Sequence, residues 1–314
     1  METNSDFIMN NASPDLEFIP CNLCGSKKSG PLYERPYLRG NDSDFGAFAA
    51  TTDEFRSYGK IVRCQNCGLC YTNPRPIASE ILKGYGNCVD ESYLLESSSR
   101  SINAHFSLNT IKPFASQGKL LEIGSSVGYF LNAARTDFDV MGLEPSVWAC
   151  EEARRRFGLE CYPESFEAAP SIKGKFFDVV VMSDVIEHLL DPKDALASCR
   201  SFLKTGGILY LVTPDIGSLS AKLMRGYWWG LRPAHIYYFS RATMTQMLRD
   251  NGFEVLMIKS FGRIFSYAYW LSRLRHYPKL ISGPLSGAIR FLGLQNKLVY
   301  IDTRDSMEIC ARKI

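Results

Sequence analysis

Short apolar runs alternate with helical patterns from about residue 108 to the end of the chain. The runs fall at 119–123, 139–143, 159–162, 177–182, 207–212, 253–259 and 307–312. Strands separated by segments of helix length are typical of a mainly parallel sheet with helices on its faces. The pattern therefore predicts an α/β fold with a doubly wound, mainly parallel, seven-stranded sheet. Ligands of such sheets bind beyond the carboxyl ends of the strands.

The first 90 residues lack this alternation and instead carry two Cys-x-x-Cys pairs. Cys21 pairs with Cys24 and Cys64 with Cys67, and a glycine follows each pair directly. Two thiolates on each of two tight turns supply the four soft ligands of a closed tetrahedral zinc site. We interpret the four as structural zinc ligands. Redox pairs are the alternative, although a thioredoxin-like site needs one such pair in a βαβ context.

The same pattern predicts the domain organisation. We expect a disordered tail at 1–17, a small zinc-binding ribbon domain at 18–90 and a larger α/β domain at 91–314. A proline-rich turn at 73–76 ends the ribbon, and a short helix over 77–85 follows it.

Composition excludes some classes of protein. The chain of 314 residues is 46% hydrophobic, so it can bury a core, and its net charge of +3 is too balanced for a general nucleic-acid binder. The N-terminus has no basic, apolar leader pattern, and no 18-residue window is free of charge. We expect a cytoplasmic protein with reduced cysteines.

Positive charge is concentrated late in the chain. No acidic residue occurs between Glu254 and Asp302, but seven basic ones do: Lys259, Arg263, Arg273, Arg275, Lys279, Arg290 and Lys297. This basic insertion (residues 260–300) predicts a helical pair with a solvated basic face. Its apolar residues at helical spacing are Ile264, Phe265, Ala268, Leu271 and Leu274. Peripheral contact with a membrane surface, or binding of an anionic nucleotide-sugar, are the other interpretations. RNA is disfavoured and DNA is not expected, because the rest of the chain is not basic.

A glycine turn follows the first strand of the predicted sheet. Gly124 and Gly128 allow a tight turn, but the Gly-x-Gly-x-x-Gly pattern of a pyrophosphate site is absent. Glu144 stands 20 residues after Gly124, where a carboxylate can hold ribose hydroxyls. Glu122 adds negative charge beside the turn, which favours a cation. A cationic nucleoside without phosphate describes S-adenosylmethionine.

These motifs together resemble the class I S-adenosylmethionine-dependent methyltransferases, which have a Rossmann-like fold. The matching segments are 122–128, 142–146, 177–188, 203–209 and 305–313. Two positions depart from the usual family pattern, since Ser126 replaces the middle glycine and Thr205 replaces a proline.

The resemblance implies a set of cofactor contacts after each of the first four strands. After the first strand, the methionine part would be flanked by Glu122, Gly124, Ser125 and Gly128. After the second, the ribose and adenine would lie beside Glu144, Pro145 and Ser146. After the third, the adenine would lie near Ser165 and Phe166, and after the fourth the sulfonium would lie next to Ser183 and Asp184.

Four candidate catalytic residues follow the fourth and fifth strands: Asp184, Glu187, His188 and His235. One interpretation is a histidine general base. Another is a divalent cation that lowers the pKa of an acceptor hydroxyl. The second resembles metal-dependent small-RNA 2′-O-methyltransferases and some ubiquinone-pathway O-methyltransferases, although Asp184 replaces a glutamate. A third is that Glu187 and His188 only orient the next helix.

A ribbon ahead of the methyltransferase domain, a tryptophan loop (residues 228–235) and the His-x-Tyr-Tyr-Phe-Ser segment at 235–240 are similar to bacterial methyltransferases of surface-glycan and secondary-metabolite pathways. The resemblance implies O-methylation of a sugar, nucleotide-sugar, lipid-linked glycan or other small hydroxylated molecule. The tryptophan loop is expected to cover the acceptor. Alternatives are a metal-assisted RNA 2′-O-methyltransferase, a C-methyltransferase acting on a nucleotide-linked sugar, and a non-catalytic scaffold that binds zinc and cofactor.

Overall fold

The computed structural model describes residues 15–35, 48–51, 58–274 and 279–314, without the side chains of 279–282 and 285. Most of the predicted tail at 1–17, parts of the predicted ribbon at 18–90, and Arg275 in the basic insertion lie outside the described residues. The domain boundaries stay predictions.

The described strands, in chain order, are β1 Leu16–Glu17, β2 Ser29–Arg35, β3 Gly59–Cys64, β4 Cys70–Thr72, β5 Arg75–Pro76, β6 Gly118–Ile123, β7 Phe138–Leu143, β8 Cys161–Tyr162, β9 Phe177–Ser183, β10 Leu203–Pro214, β11 Tyr237–Tyr238, β12 Phe253–Ser260, β13 Arg263–Ser266, β14 Leu298–Ile301 and β15 Ser306–Lys313. The described α-helices are α1 Ala78–Gly86, α2 Ser97–Ile111, α3 Tyr129–Ala134, α4 Val147–Phe157, α5 Pro192–Phe202, α6 Leu219–Met224, α7 Arg241–Asp250, α8 Tyr267–Arg273 and α9 Lys279–Phe291.

The large sheet confirms the predicted fold. Its seven strands run in the order β12-β15-β10-β9-β6-β7-β8. The five from β10 to β8 are parallel, and β15 is antiparallel to both of its neighbours. The chain leaves β6 toward β7 and β8, then returns to β9 on the other side of β6. This reversal opens a crevice at the carboxyl ends of β6 and β9, where ligands of open α/β sheets bind.

The core forms two layers because helices cover both faces of the sheet. On one face, side chains such as Val180 and Leu211 pack with α5 and α7. On the other face, Val179 and Tyr210 pack with α2 and α3. Strands buried on both sides carry unbroken apolar runs, which explains why β9 and β10 were readable in the sequence.

A second, four-stranded antiparallel sheet has the order β11-β4-β3-β2. Three of its strands come from the cysteine-rich segment, and β11 comes from the chain that follows the tryptophan loop. Tyr237 pairs with Tyr71, and Tyr238 pairs with Cys70. Backbone pairing therefore joins the cysteine-rich segment to the chain that follows the tryptophan loop.

The basic insertion contains the predicted pair of helices, but it also contains two strands that the sequence did not predict. It begins and ends with strands β13 and β14, which pair antiparallel, and α8 and α9 lie between them. Ile264 and Phe265 belong to β13, because the ladder to Tyr300 and Val299 overrides the helical spacing of the apolar residues. Within the described residues, no helix is both long and apolar enough to cross a bilayer.

Leu209 provides a test of the core. It lies in the centre of the sheet on β10 and is fully buried, so Leu209→Ala should lower the free energy of unfolding by about 2–5 kcal/mol. Leu219 on α6 is 72% exposed, and Leu219→Ala should cost less than about 0.5 kcal/mol. Urea unfolding followed by circular dichroism measures both. Equal losses in the two variants would contradict this packing.

Candidate active site

A cavity of about 750 Å³ lies at the carboxyl ends of β6, β7, β9 and β10. Its floor is formed by the turns that follow these strands. The tryptophan loop contributes Trp229, Arg232, Ala234 and His235 to its lining, as expected for a cover. Trp228 and Trp229 both donate their Nε1–H to Asp305, at 2.9 and 2.5 Å, which anchors this loop at the edge of the sheet.

The glycine turn at the end of β6 has the expected tight geometry. Gly124 has φ +72°, and a Cβ atom there would collide with Val185. The backbone N–H groups of Gly124 and Ser125 both donate to the Leu143 carbonyl, at 2.8 and 3.1 Å. Ser126 adopts φ +47°, so serine occupies the left-handed position where the family usually has glycine.

Glu144 closes this turn from the neighbouring strand. Its carboxylate accepts the N–H of Ser126 and the N–H of Ser146, each at 2.9 Å. These two bonds hold the carboxylate in place at the rim of the cavity, at the position where the sequence predicted a ribose contact. Burial raises its pKa, while the two N–H groups oppose that shift.

Glu122 lies below the turn, and one of its carboxylate oxygens, Oε2, is buried without a hydrogen-bond partner. Burial raises the pKa of this carboxyl well above its ordinary value. An uncompensated buried acid is costly unless a cation or donor approaches it. Glu122 and Glu144 together fit a positively charged cofactor at this end of the cavity.

The other predicted cofactor residues divide into two sets. Those that line the cavity are Ser125, Pro145, Ser146, Ser165, Phe166, Ser183 and Asp184. Gly128 does not line it. With φ +83° it begins α3, and a Cβ atom there would approach Leu159 to 2.5 Å, so its role is close packing. Ser146 caps α4 by accepting the Ala149 N–H.

Asp184 is held by an ion pair that the sequence did not indicate. Both of its carboxylate oxygens accept from Nη2 of Arg263 at 2.7 Å. Arg263 comes from β13 of the basic insertion, 79 residues along the chain. This pair engages Asp184 at the lining of the cavity, and Asp184 is not part of the group formed by the other three candidate catalytic residues.

Glu187, His188 and His235, which we call the histidine cluster, do come together. One ligand atom from each lies within 4.8 Å of the others. The two imidazole rings meet edge to face, with centroids 4.7 Å apart. Glu187 Oε2 accepts from the Thr213 hydroxyl at 3.0 Å, while Oε1 is buried without a hydrogen-bond partner and lies 4.0 Å from His188 Nε2.

Hydrogen bonds define which nitrogen of each ring carries a proton. His188 Nδ1 lies 2.8 Å from the Ala234 carbonyl, and His235 Nδ1 lies 2.8 Å from the Gly230 carbonyl. A carbonyl only accepts, so each Nδ1 is the donor and each Nε2 keeps its lone pair. Burial lowers the pKa of His188 to about 4 and that of His235 well below its ordinary value, so both rings are neutral at pH 7.

Two neutral imidazoles and a carboxylate form a common donor set for divalent transition metals. Nδ1–H bonds to carbonyl groups are the outer contacts that usually orient such ligands. The unpartnered Oε1 atom of Glu187 is the third donor, so the histidine cluster fits a cation. The sequence pattern did not reveal Tyr85, whose hydroxyl lies 2.6 Å from His188 Nδ1, because Tyr85 is 103 residues away on α1.

The four cysteines of the two Cys-x-x-Cys turns also meet, forming what we call the cysteine cluster. Cys21 Sγ lies 3.4 Å from Cys67 Sγ, and Cys24 Sγ lies 3.6 Å from Cys64 Sγ. Thiolates about 2.3 Å from a tetrahedral zinc are about 3.8 Å apart, so the cluster has the size of a zinc site. With four protein ligands, such a site would leave no position open for chemistry.

Comparison with known proteins places the chain among methyltransferases. A family model described as "Methyltransferase domain" matches residues 100–258. The ubiquinone biosynthesis O-methyltransferase of Parvibaculum lavamentivorans is 30% identical over 130 residues, 39% of this chain and 49% of that protein. A probable S-adenosylmethionine-dependent methyltransferase of Mycolicibacterium smegmatis is 36% identical over 140 residues, 43% of this chain and 52% of that protein.

The chain thus spans about half the length of the curated relatives it matches. Among solved structures, a SAM-dependent methyltransferase from Archaeoglobus fulgidus is 20% identical, with a TM-score of 0.49 over 71% of this chain and 100% of that one.

The cysteine cluster predicts one tightly bound zinc ion per chain. Cys64→Ser should remove most of this zinc and lower thermal stability, because zinc bound only by the folded state adds its binding free energy to folding. Elemental analysis of the purified protein measures the metal. Cys88→Ser is the matched control, since Cys88 lies outside the cluster, and it should keep its zinc. Full zinc content in Cys64→Ser would contradict the assignment.

Proposed function

The chain belongs to the methyltransferase domain family, and on this basis we propose that it is an S-adenosylmethionine-dependent O-methyltransferase acting on a hydroxyl group of a small molecule. The observation that carries the oxygen assignment is the histidine cluster at the cofactor cavity. Hydroxyl acceptors must lose a proton during methyl transfer, so they need a group that lowers their pKa or removes the proton. The relatives named ubiquinone biosynthesis O-methyltransferase support the same assignment.

The chain's own residues would bind and orient the reactants. When bound, S-adenosylmethionine supplies an electrophilic methyl group on a cationic sulfur. Glu122 and Glu144 would offer carboxyl oxygens as hydrogen-bond acceptors on the floor of the cavity, and the positive charge of the cofactor would favour their ionised forms. The tryptophan loop would hold the acceptor against this floor, and most of the catalysis would come from aligning acceptor oxygen, methyl carbon and sulfur.

The histidine cluster would act at the acceptor oxygen. A divalent cation held by Glu187 Oε1, His188 Nε2 and His235 Nε2 would supply Lewis acidity that lowers the pKa of the hydroxyl. The carbonyls of Ala234 and Gly230 keep the two Nε2 lone pairs available. The alternative is a histidine acting as base without metal. Its Nε2 lone pair could take the proton, but burial lowers the pKa of His188 to about 4, which makes the ring a weak base.

We propose a sugar or similar hydroxylated small molecule as the acceptor. The cavity volume of about 750 Å³ lies within the range of small-molecule sites. RNA remains the alternative acceptor that the Glu187-His188 pattern resembles, and salt-sensitive oligonucleotide binding would favour it.

The cofactor assignment predicts an effect of Glu144. Loss of a charge-assisted hydrogen bond to ribose costs about 1.5–3 kcal/mol, so Glu144→Ala should weaken S-adenosylmethionine binding roughly 10- to 100-fold. Isothermal titration calorimetry measures the affinity. Glu151→Ala, an exposed position on α4, is the matched control and should bind normally. Glu144→Gln is the second variant, since it keeps the side-chain shape, and wild-type affinity in both Glu144 variants would refute the ribose contact.

The histidine cluster predicts separate effects on chemistry and cofactor binding. His188→Ala and His235→Ala should each lower the rate of methyl transfer by about 100-fold or more, while S-adenosylmethionine affinity stays within about twofold of wild type. Exposed His105 on α2 provides the control, His105→Ala, which should keep full activity. Both cluster variants should also lose binding of Mn²⁺ measured by electron paramagnetic resonance. Unchanged Mn²⁺ binding would rule out the metal role and leave the base role to be judged by the rates.

A further inference from the structure

Arg232 lies in the tryptophan loop and lines the cavity with a guanidinium that is only partly bonded. Its Nη1 donates to the Ala50 carbonyl at 3.3 Å. Its Nε is buried without a hydrogen-bond partner. A buried N–H of a charged group that makes no hydrogen bond is costly, so its retention beside a cavity points to a ligand that completes the bonding.

Within the described part of the chain, no carboxylate lies at ion-pair distance from Arg232. Arg263, which lines the same cavity, differs because it forms an ion pair with both carboxylate oxygens of Asp184. Arg273 on α8 also lines the cavity. It donates to the Thr51 carbonyl and the Tyr269 hydroxyl. Burial and the charge of Arg273 lower the pKa of Arg232 to about 10, so Arg232 still carries its charge at pH 7.

The cavity is therefore polarised. The turns that form its floor carry the carboxyl groups of Glu122 and Glu144, and the tryptophan loop that covers it carries Arg232. A cationic cofactor fits the floor but would be repelled by the cover. The cover instead suits a ligand with negative charge, and guanidinium groups bind phosphate and carboxylate oxygens side by side.

We propose that Arg232 binds an anionic group, a phosphate or a carboxylate, of the molecule that enters the cavity opposite the cofactor. The proposal rests on the proposed function. It implies that the methyl acceptor is a hydroxylated small molecule that carries a phosphate or a carboxylate. Only two residues separate Arg232 from His235 in the same loop, and the carbonyl of one of them, Ala234, accepts a hydrogen bond from His188. An anion bound at Arg232 would thus place the remainder of the acceptor near the histidine cluster.

The experiment measures anion binding directly, on the full-length protein with its zinc retained and without added cofactor or other divalent metal. Trp229 lies 5.8 Å from the Arg232 guanidinium, so tryptophan fluorescence should report an anion arriving there. The full-length protein is titrated with inorganic phosphate and, separately, with acetate, each against sodium chloride at equal ionic strength. A saturable change with phosphate alone assigns a phosphate-bearing acceptor, and one with acetate alone assigns a carboxylate.

Three variants make the result specific. Arg232→Gln should weaken anion binding at least about tenfold, because a charge-assisted hydrogen bond is lost. Arg232→Lys keeps the charge but loses the planar fork, and should weaken binding about threefold or more. Arg249→Gln removes an exposed arginine of α7 outside the cavity and should bind like the wild type.

The proposal is overturned if neither anion gives a saturable change in the wild-type protein, or if Arg232→Gln binds as tightly as Arg249→Gln. Near-ultraviolet circular dichroism shows whether Arg232→Gln is folded. If it is not, Arg232→Lys decides, and wild-type affinity in that variant contradicts the proposal. Failure of the proposed function would appear differently, as absent S-adenosylmethionine binding or methyl transfer while the anion still binds at Arg232.

Discussion

The pairing of β11 with β4 is the constraint on which the site depends. It joins Tyr237 and Tyr238 to Tyr71 and Cys70 through a backbone ladder. Just before it, Ile236 donates its N–H to the Glu187 carbonyl at 3.0 Å and accepts the Thr72 N–H at 2.9 Å. The segment after the tryptophan loop is thus bonded on both sides, so His235 has little freedom relative to Glu187 and His188.

The cysteine cluster is connected to the histidine cluster through this strand pairing. Cys64 and Cys67 form the turn that leads into β4, and β4 carries β11. Through this strand pairing the cysteine-rich segment fixes the position of His235, a member of the histidine cluster, and the cysteine cluster itself does not line the cavity. α1, which follows the ribbon, adds Tyr85, whose hydroxyl lies against His188. A metal held by four cysteines would stiffen a turn from which the strand pairing continues into the cavity.

The sequence predicted the sheet well and the side-chain contacts poorly. All seven strands of the large sheet were readable, because each is a short apolar run between helical segments. The meeting of Glu187 and His188 with His235 followed from family resemblance rather than from spacing. The ion pair of Asp184 with Arg263 and the contact of Tyr85 with His188 join residues far apart in sequence, and no periodic pattern encodes such pairs. Ile264 and Phe265 misled the helix prediction, because an apolar pair fits either period.

Charge is the remaining organising principle of the cavity. Asp184 and Arg263 neutralise each other at the junction of floor and cover. That pairing leaves Glu122 and Glu144 on one side and Arg232 on the other. A cationic cofactor and an anionic acceptor would each meet opposite charge on their own wall, and each would be repelled from the other wall. Because Arg232, Glu122 and Glu144 are partly or fully buried, these attractions and repulsions are stronger than they would be on the surface. The same polarity would favour one orientation of the two reactants, with the acceptor hydroxyl toward the histidine cluster.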